Sequence, residues 1–317
     1  MKNPRAAAFT WKCKNGKFLQ WFHNHGGRFI GSHGLDEPEE SPYDNRNPVW
    51  VAPGVEKDSP NGKILEWGQP EILLYHDDLF IRMSYPDLIE LDDGMFITET
   101  QKCVGRMHRI DPLFLQRLWG QFDGQAADES SCIFSLEEGG CDVEAPVLPD
   151  FFIRDIHTPD YRGVDLRQGF SLCFRMTLPA EGVSGILLDN RTGSGRGWML
   201  RATERGGLEL IMSDGQTTAL NTSESGLLCP GEERDIAIIV DGGPKVVSFV
   251  ADGRFCDGGD ERQFGWSRFS PLLCNVVGSS KLSVSRNVKQ LKVFSRALMS
   301  CEAVAIQSRE REPVGGS

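Results

Sequence analysis

The sequence has 317 residues, of which 39% are hydrophobic and 9% aromatic, a composition typical of a folded protein with a sizeable core. Its 34 Lys and Arg residues against 45 Asp and Glu residues give a formal net charge of −11, which argues against a nucleic-acid partner because phosphates require a basic face. No apolar run approaches the roughly 18 residues that a transmembrane helix needs, so we expect no membrane span.

The chain begins with a pattern that predicts a β-hairpin. Two apolar segments, AAFTWK and KFLQWFHN, are joined by Lys14-Asn15-Gly16, and an Asn-Gly pair between such segments is a strong turn signal. A polar loop containing Pro and Gly follows over residues 26–45. Long loops on a rigid β scaffold often line a functional site.

Four short runs of apolar, β-branched and aromatic residues fall between residues 44 and 102. They are NPVWVA, EILLYH, DLIEL and MFITET. The last two are joined by Asp92-Asp93-Gly94, where Gly takes the positive-φ turn position without steric cost. Four short antiparallel strands in one stretch are what a single propeller blade requires.

A short helix is predicted over residues 111–123, because Asp111 is a suitable N-cap and Pro112 occupies the first helical position. The segment GQAADESSC that follows is small and polar, which is typical of a linker. We therefore divide the chain into an N-terminal part over residues 1–123, a linker over 124–142 and a C-terminal part over 143–317.

The C-terminal part has the pattern of a β-sandwich. Turn signals such as Asp214-Gly215 and Asp252-Gly253 separate strands at regular spacing, so the predicted fold class of the whole chain is all-β. The predicted strands are FSLCFRMTL, SGILLDN, GWMLRAT, LELIMS, DIAIIVD, KVVSFVAD, KLSVS and QLKVFS.

The N-terminal part resembles the last part of a sialidase-like six-bladed β-propeller. Arg46 precedes NPVWVA, Trp67 closes the segment GVEKDSPNGKILEW, and Tyr85 lies in SYPDLIELDDG. The resemblance covers residues 3–110 and implies about two blades of an incomplete propeller. The sequence departs from the family pattern in two places: the usual Asp-box spacing before Trp67 is not kept, and Pro86 replaces a small polar residue.

The sialidase resemblance also implies catalytic roles. Sialidases use a Tyr nucleophile, because a neutral phenol is not repelled by the substrate carboxylate, and arginines bind that carboxylate in a bidentate manner. By position, Tyr85 matches the nucleophile and Arg46 the third arginine, with Arg82 a competitor for the substrate-binding role. Asp87 follows on the same strand face as Tyr85 and is a further candidate. The structural alternatives are a half-buried strand tyrosine and surface charges.

The family's first arginine, acid aspartate and glutamate base belong to earlier blades that this chain does not contain. We therefore expect the chain to be the C-terminal part of a longer protein, or a truncated gene model, without a complete active site of its own.

Aromatic and histidine residues suggest a sugar-contacting surface. Trp21, His23 and His25 lie in WFHNHGG, and Trp50 lies in the next strand. Aromatic rings stack on the apolar faces of sugars, although strand packing is the commoner reason for a Trp. His-x-His places both rings on one face and permits a metal, but no third ligand is specified, so we predict no metal here.

The C-terminal part resembles the concanavalin A-like lectin/glucanase (laminin-G-like) jelly roll. The resemblance rests on FSLCFRM, DIAIIVDGGPKVVSFVADGRF and LKVFSRALMSCEA, and it implies carbohydrate binding. Members of this superfamily often bind calcium on loops, and the segment from Asp189 to Gly197 offers carboxylate and carbonyl oxygens. Calcium is therefore a candidate ligand without a full ligand set, and no other cofactor is predicted.

Nine cysteines are present, so at least one thiol is unpaired within the chain. No CxxC pair occurs, which argues against structural zinc. A few disulfides in the C-terminal half and plain buried thiols both fit. The N-terminus lacks a signal-peptide pattern, yet the resemblances lead us to expect an extracellular or periplasmic full-length protein.

Two functions from different classes follow. The first is the C-terminal portion of a sialidase-like exo-glycosidase whose jelly roll holds the enzyme on its glycan substrate. The alternative is a non-catalytic protein that binds carbohydrate or serves as an extracellular interaction module. The expected partner is a glycan or glycoconjugate, and fold alone does not decide between the two functions.

Overall fold

The computed structural model describes residues 7–23, 46–76, 81–101, 104–124, 128–151, 167–179, 185–256 and 266–311. It confirms an all-β protein, with four sheets and two α-helices in the part of the chain described. No helix in those ranges is both long and apolar enough to cross a membrane.

The N-terminal part forms two separate sheets. The first has the order β1-β2-β3-β4, with β5 also paired to β3, and the second has the order β6-β7-β8. The strands are β1 (Phe9–Lys12), β2 (Phe18–Phe22), β3 (Val49–Ser59), β4 (Gly62–Trp67), β5 (Glu71–Leu74), β6 (Ser84–Leu91), β7 (Gly94–Gln101) and β8 (Val104–Arg109).

The predicted hairpins are present, but the predicted single blade is not. Gly16 has φ of 80° between β1 and β2, and Asp92-Asp93 joins β6 to β7. The four runs expected in one blade are divided, because β3 and β5 belong to the first sheet and β6 and β7 to the second. The hairpin turn signals are local, whereas the partner of β5 is decided by packing farther along the chain.

Helix α1 (Pro112–Gly120) confirms the predicted short helix, and the Asp111 side chain accepts a hydrogen bond from the Leu113 N–H as its N-cap. A turn of 3₁₀ helix (Gln121–Asp123) follows. The stretch expected to be a linker holds β9 (Cys132–Glu138), which pairs with β21. The domain limits themselves stay a prediction.

The C-terminal part is a sandwich of two antiparallel sheets. A seven-stranded sheet has the order β18-β17-β16-β11-β21-β9 with β19 also paired to β17, and a six-stranded sheet has the order β10-β20-β12-β13-β14-β15. The remaining elements are β10 (Cys141–Glu144), β11 (Gly169–Thr177), β12 (Gly185–Asp189), β13 (Gly197–Ala202), β14 (Leu208–Ser213), β15 (Thr218–Thr222), β16 (Glu233–Asp241), β17 (Val246–Ala251), β18 (Arg254–Phe255), β19 (Trp266–Arg268), β20 (Lys281–Val284), β21 (Val288–Phe294) and α2 (Ser300–Arg311).

The main core fills the space between these two sheets. Inward side chains of both sheets, such as Phe170, Trp198, Leu210 and Phe249, belong to one buried cluster. Burying this much apolar surface is the main source of stability for a sandwich. The described cysteines, at 13, 132, 141, 173, 229, 256, 274 and 301, are free thiols.

The N-terminal sheets pack against the sandwich. Trp50 lies 5.5 Å from Trp266, measured between ring centroids, in a cluster that also contains Tyr75 and Val246. Met299, immediately before α2, belongs to the same cluster as residues of the first two sheets. The two parts of the chain therefore share buried apolar surface.

Candidate functional site

The two sheets of the sandwich differ in which faces are covered. The seven-stranded sheet is buried on both sides, because its outer face carries α2 and the N-terminal sheets, and the β16 and β17 side chains are buried almost without interruption. The edge-proximal strands β15 and β20 of the six-stranded sheet instead alternate between exposed and buried residues. Among the described residues, the outer face of the six-stranded sheet is therefore exposed along these two strands and at Arg201, whereas Met199 and Ser213 on the same face are buried.

An open hollow of about 560 Å³, here called the first hollow, lies on this face. Its lining is polar in character, with three acidic and two basic side chains beside several hydroxyl groups. The lining residues are Gly185, Ile186, Arg201, Ala202, Thr203, Glu204, Arg205, Gly207, Leu208, Glu209, Thr222, Ser223, Glu224 and Ser225.

Strand register places the key side chains of the first hollow in one row. Ile186 is opposite Arg201, Arg201 is opposite Glu209, and Glu209 is opposite Thr222. The neighbouring residues Leu200, Leu208 and Leu210 point inward and belong to the core. Because side chains alternate between the two faces of a strand, the row projects outward.

Arg201 and Glu209 form a cross-strand ion pair at the centre of the row. The guanidinium Nε and Nη2 both contact the same carboxylate oxygen, Oε1 of Glu209. The Glu209 side chain is only 10% exposed, whereas that of Arg201 is 48% exposed. The pair therefore fixes the guanidinium in position while leaving part of its donor set facing solvent.

The turn at one side of the first hollow is held by hydrogen bonds. The Gly207 N–H donates to Thr203 Oγ1 at 3.0 Å, and the Leu208 N–H donates to Ser223 Oγ at 2.8 Å. A Cβ atom at Gly207 would lie 3.0 Å from the carbonyl oxygen of Glu224, so the close approach of these two segments favours glycine.

A second hollow of about 460 Å³ lies on the same sheet face and shares Ile186 with the first. Arg191 is fixed there by Asp189, which accepts hydrogen bonds from Nε and Nη2 at 2.9 and 2.8 Å. Partial burial opposes ionisation, but the hydrogen bonds from Arg191 hold the pKa of Asp189 below its usual value. The lining residues are Asp142, Ile186, Leu187, Asp189, Arg191, Ser279, Lys281, Ser283 and Ser285.

The same region contains the loop from Asp189 to Gly197, which the sequence suggested as a calcium site. Asp189 is bound by Arg191, and the Asn190 side-chain amide donates to the carbonyl oxygens of Ser279 and Lys281. No group of three or more His, Cys, Asp or Glu residues with metal-binding spacing occurs among the described residues. The loop residues thus serve contacts within the protein.

The residues assigned by the sialidase resemblance lie elsewhere, on the second N-terminal sheet. Tyr85 is 71% exposed, with φ of 50°, at an irregularity in the pairing of β6 with β7. Arg46 donates from Nη1 to Ser84 Oγ at 2.8 Å, on the buried side of the strand, whereas the Tyr85 side chain faces solvent. Arg82 and Asp87 are both exposed, and Asp87 accepts a hydrogen bond from the Leu88 N–H.

The predicted aromatic sugar contacts lie in the core instead. Trp21 and Trp50 are 0% and 2% exposed, and His23 is 0% exposed. The Trp21 indole N–H donates to His23 Nε2 at 3.3 Å, and burial, together with the charge of Arg46, lowers the pKa of His23 to about 3. These three rings have no face open to a ligand, and His25 lies outside the described residues.

Comparison with known proteins gives no family for this chain. No protein-family model matches the sequence, and no curated protein matches it. The structure is similar to the CBM40 domain of Ruminococcus gnavus IT-sialidase bound to alpha2,3 sialyllactose, at 12% identity over 56% of this chain and 99% of that chain, with a TM-score of 0.37.

Two other solved structures align with this chain, one over nearly its whole length. The structure is similar to Trypanosoma rangeli sialidase in complex with sialic acid, at 10% identity over 99% of this chain and 55% of that chain, with a TM-score of 0.33. It is also similar to the binding domain of botulinum neurotoxin serotype C1, at 10% identity over 57% of this chain and 52% of that chain, with a TM-score of 0.37. Likenesses this distant assign neither a family nor a function.

Proposed function

We propose that this protein binds carbohydrate and that the first hollow is its binding site. The observation that carries the proposal is the half-exposed Arg201 guanidinium, fixed by the largely buried Glu209 in an open polar hollow on the outer face of the six-stranded sheet. Sugar hydroxyls both donate and accept hydrogen bonds, so a site with fixed donors beside fixed acceptors suits them. The exposed Ile186 adds an apolar contact for a sugar ring.

The sequence resemblances support the same function. The strand patterns of residues 143–317 resemble those of the concanavalin A-like lectin/glucanase jelly roll, and the pattern around Tyr85 resembles that of sialidases. A glycan or glycoconjugate is therefore the expected partner, and an extracellular or periplasmic location for the full-length protein fits such a partner.

Calorimetric titration of the full chain with a glycan panel tests the proposal. The panel contains neutral, sialylated and uronic-acid sugars. Arg201→Met removes the charged donors and retains an unbranched side chain, and we expect it to weaken binding at least tenfold. Arg254→Met, at an exposed position on β18, is the matched control and leaves binding unchanged. Lack of binding to the whole panel, or equal affinity in Arg201→Met, would contradict the assignment.

A second candidate function is sialidase-like glycoside hydrolysis by the full-length protein, with Tyr85 as nucleophile. It is favoured by Tyr85 itself, a solvent-exposed tyrosine held at positive φ. A non-glycine residue at positive φ is costly, and such positions occur often at functional sites.

Measuring the hydrolysis of fluorogenic sialosides, and of other aryl glycosides, by the full-length protein tests this candidate. We expect Tyr85→Phe to abolish turnover while glycan binding in the first hollow is retained, since the two places are remote. Turnover that persists in Tyr85→Phe would exclude Tyr85 as the nucleophile.

A further inference from the structure

We propose that the binding site takes an oligosaccharide of two or more residues, neutral or singly charged, and that the second hollow is a further subsite for it. This inference rests on the carbohydrate-binding function proposed above.

The two hollows are neighbours on one face of the sheet. Both lie on the outer face of the six-stranded sheet, and Ile186, half exposed at 50%, lines both. Asp142 on β10 is opposite Ser283 on β20, and Ser283 is opposite Asp189 on β12. From β10 to β15 the sheet spans five strand spacings, about 24 Å in total. A single sugar would leave most of this surface unused.

The second hollow is as firmly built as the first. Arg191 is held by a bidentate contact with Asp189, and the Asn190 amide ties the chain at Ser279 to the end of β12. A Cβ atom at Gly278 would lie only 2.1 Å from Asn190 Oδ1, which shows how closely the two segments approach. Fixed groups reduce the ordering cost of binding, so this surface is prepared for a ligand.

The chemistry of the second hollow matches that of the first. Lys281 is exposed at its rim, and the hydroxyl groups of Ser279, Ser283 and Ser285 line it. Donors and acceptors are interspersed here, as they are around Arg201 and Glu209. An oligosaccharide needs both donors and acceptors along its whole length, because every sugar ring presents hydroxyl groups that donate and accept hydrogen bonds.

The charge of the combined surface decides the class of glycan. The two hollows together are lined by four basic side chains and five acidic ones, so their formal net charge is −1. A polyanionic glycan needs a clear excess of positive charge, as other polyanions do. The balance favours a neutral oligosaccharide, or one with a single carboxylate that Arg201 or Lys281 can meet.

Titration of the full chain with short and long sugars tests the inference. The probes are galactose, N-acetylneuraminic acid, lactose, sialyllactose and a heparin tetrasaccharide. We expect lactose or sialyllactose to bind at least tenfold more tightly than either monosaccharide, with no measurable binding of the heparin fragment.

Substitutions in the second hollow test whether it supplies the additional affinity for oligosaccharides. Ser283 is exposed on β20, so Ser283→Tyr is expected to fill the second hollow without disturbing the core. We expect it, and Lys281→Ala separately, to reduce oligosaccharide affinity about tenfold towards that of the monosaccharide. Neither substitution is expected to change the affinity for galactose, whereas Arg201→Met weakens the binding of both galactose and oligosaccharides and Arg254→Met weakens neither.

The outcomes distinguish this inference from the carbohydrate-binding function. Equal affinity for monosaccharides and oligosaccharides, or full oligosaccharide affinity in both Ser283→Tyr and Lys281→Ala, would overturn the second subsite while the binding function stands. Tight binding of the heparin tetrasaccharide would overturn the glycan class. Absence of binding to every probe would overturn the function and this inference with it.

Discussion

A buried carboxyl group, Glu71, joins the N-terminal sheets to the sandwich and provides the sharpest test of the packing described here. Its side chain is 3% exposed and lies 3.4 Å from Arg167 Nη2, measured from Oε2. Its other oxygen accepts a hydrogen bond from the Cys301 N–H at the start of α2, at 3.2 Å. Arg167 also approaches Asp241 Oδ2 at 3.5 Å.

Burial dominates the ionisation of Glu71. It raises the pKa of this carboxyl from 4.5 to about 7, more than the charge of Arg167 lowers it. The folded-state pKa therefore lies above the unfolded one. Such a group contributes stability that is complete below about pH 4.5 and is lost as the pH rises through about 7. By linkage, the full change is about 3 kcal/mol.

Glu71→Gln isolates this contribution, because glutamine retains an acceptor for Cys301 but cannot ionise. We expect the free energy of unfolding of the variant, relative to that of the wild type, to rise by about 3 kcal/mol between about pH 4 and pH 8. Asp241, whose pKa burial raises to about 6, and His23, whose pKa burial lowers, are present in both proteins, so their contributions largely cancel in the difference.

Urea unfolding followed by tryptophan fluorescence across this pH range measures the difference. Glu302→Gln is the control of opposite sign: burial opposes its ionisation, but hydrogen bonds from Arg296 hold the pKa of Glu302 below its usual value. That variant loses stability relative to the wild type only at the acidic end, as the pH rises to about 4.5, and its difference from the wild type is flat at higher pH. A Glu71→Gln difference that stays flat with pH, or falls, would refute the assignment of Glu71 to a buried junction.

Two further substitutions test the packing. Trp50→Ala removes a ring that is 2% exposed and contacts Trp266, so we expect it to lower the free energy of unfolding by about 3–5 kcal/mol; a loss below about 1 kcal/mol would show that the contact is not formed. Gly278→Ala places a Cβ 2.1 Å from Asn190 Oδ1, so we expect a loss of about 1–3 kcal/mol in urea unfolding together with weaker oligosaccharide binding. Gly193→Ala, where a Cβ meets nothing within 4 Å, is the matched control and stays at wild-type stability.

Local signals in the sequence predicted the elements that depend on local interactions. The Asn15-Gly16 and Asp92-Asp93-Gly94 turns, and the helix with Asp111 as N-cap, need only neighbouring residues to form, and all three are present. The two-sheet arrangement of the C-terminal part likewise follows from apolar strands separated by regular turns.

Elements that depend on distant partners were not predicted. The pairing of β9 with β21 joins residues more than a hundred positions apart, and the polar sequence before β9 gave no sign of it. Trp21 and Trp50 were expected at a sugar surface, but both are buried where the first sheet packs on the sandwich and on the second sheet. Residue type does not reveal which face of a strand a distant segment will cover.

The ion pair in the first hollow could likewise be predicted only in part from the sequence. Glu209 stands between two leucines in LELIMS, and Arg201 follows a leucine in GWMLRAT. This alternation places each charge on the outward face of its strand, and the signal was available in the sequence. That the two charges are opposite each other depends on the register of β13 with β14, which the structure supplies.

The first hollow and the Tyr85 region lie on different sheets, so a substitution in one tests that site separately from the other. In the part of the chain described, the N-terminal sheets contact the seven-stranded sheet and α2, while the first hollow lies on the outer face of the six-stranded sheet, across the main core. A substitution at Arg201 is therefore remote from Tyr85, and Tyr85→Phe is remote from the hollows. Because the N-terminal sheets and the sandwich share buried surface and the Glu71–Arg167 contact, loss of binding and turnover in one variant would report unfolding of the shared core rather than a catalytic or binding role.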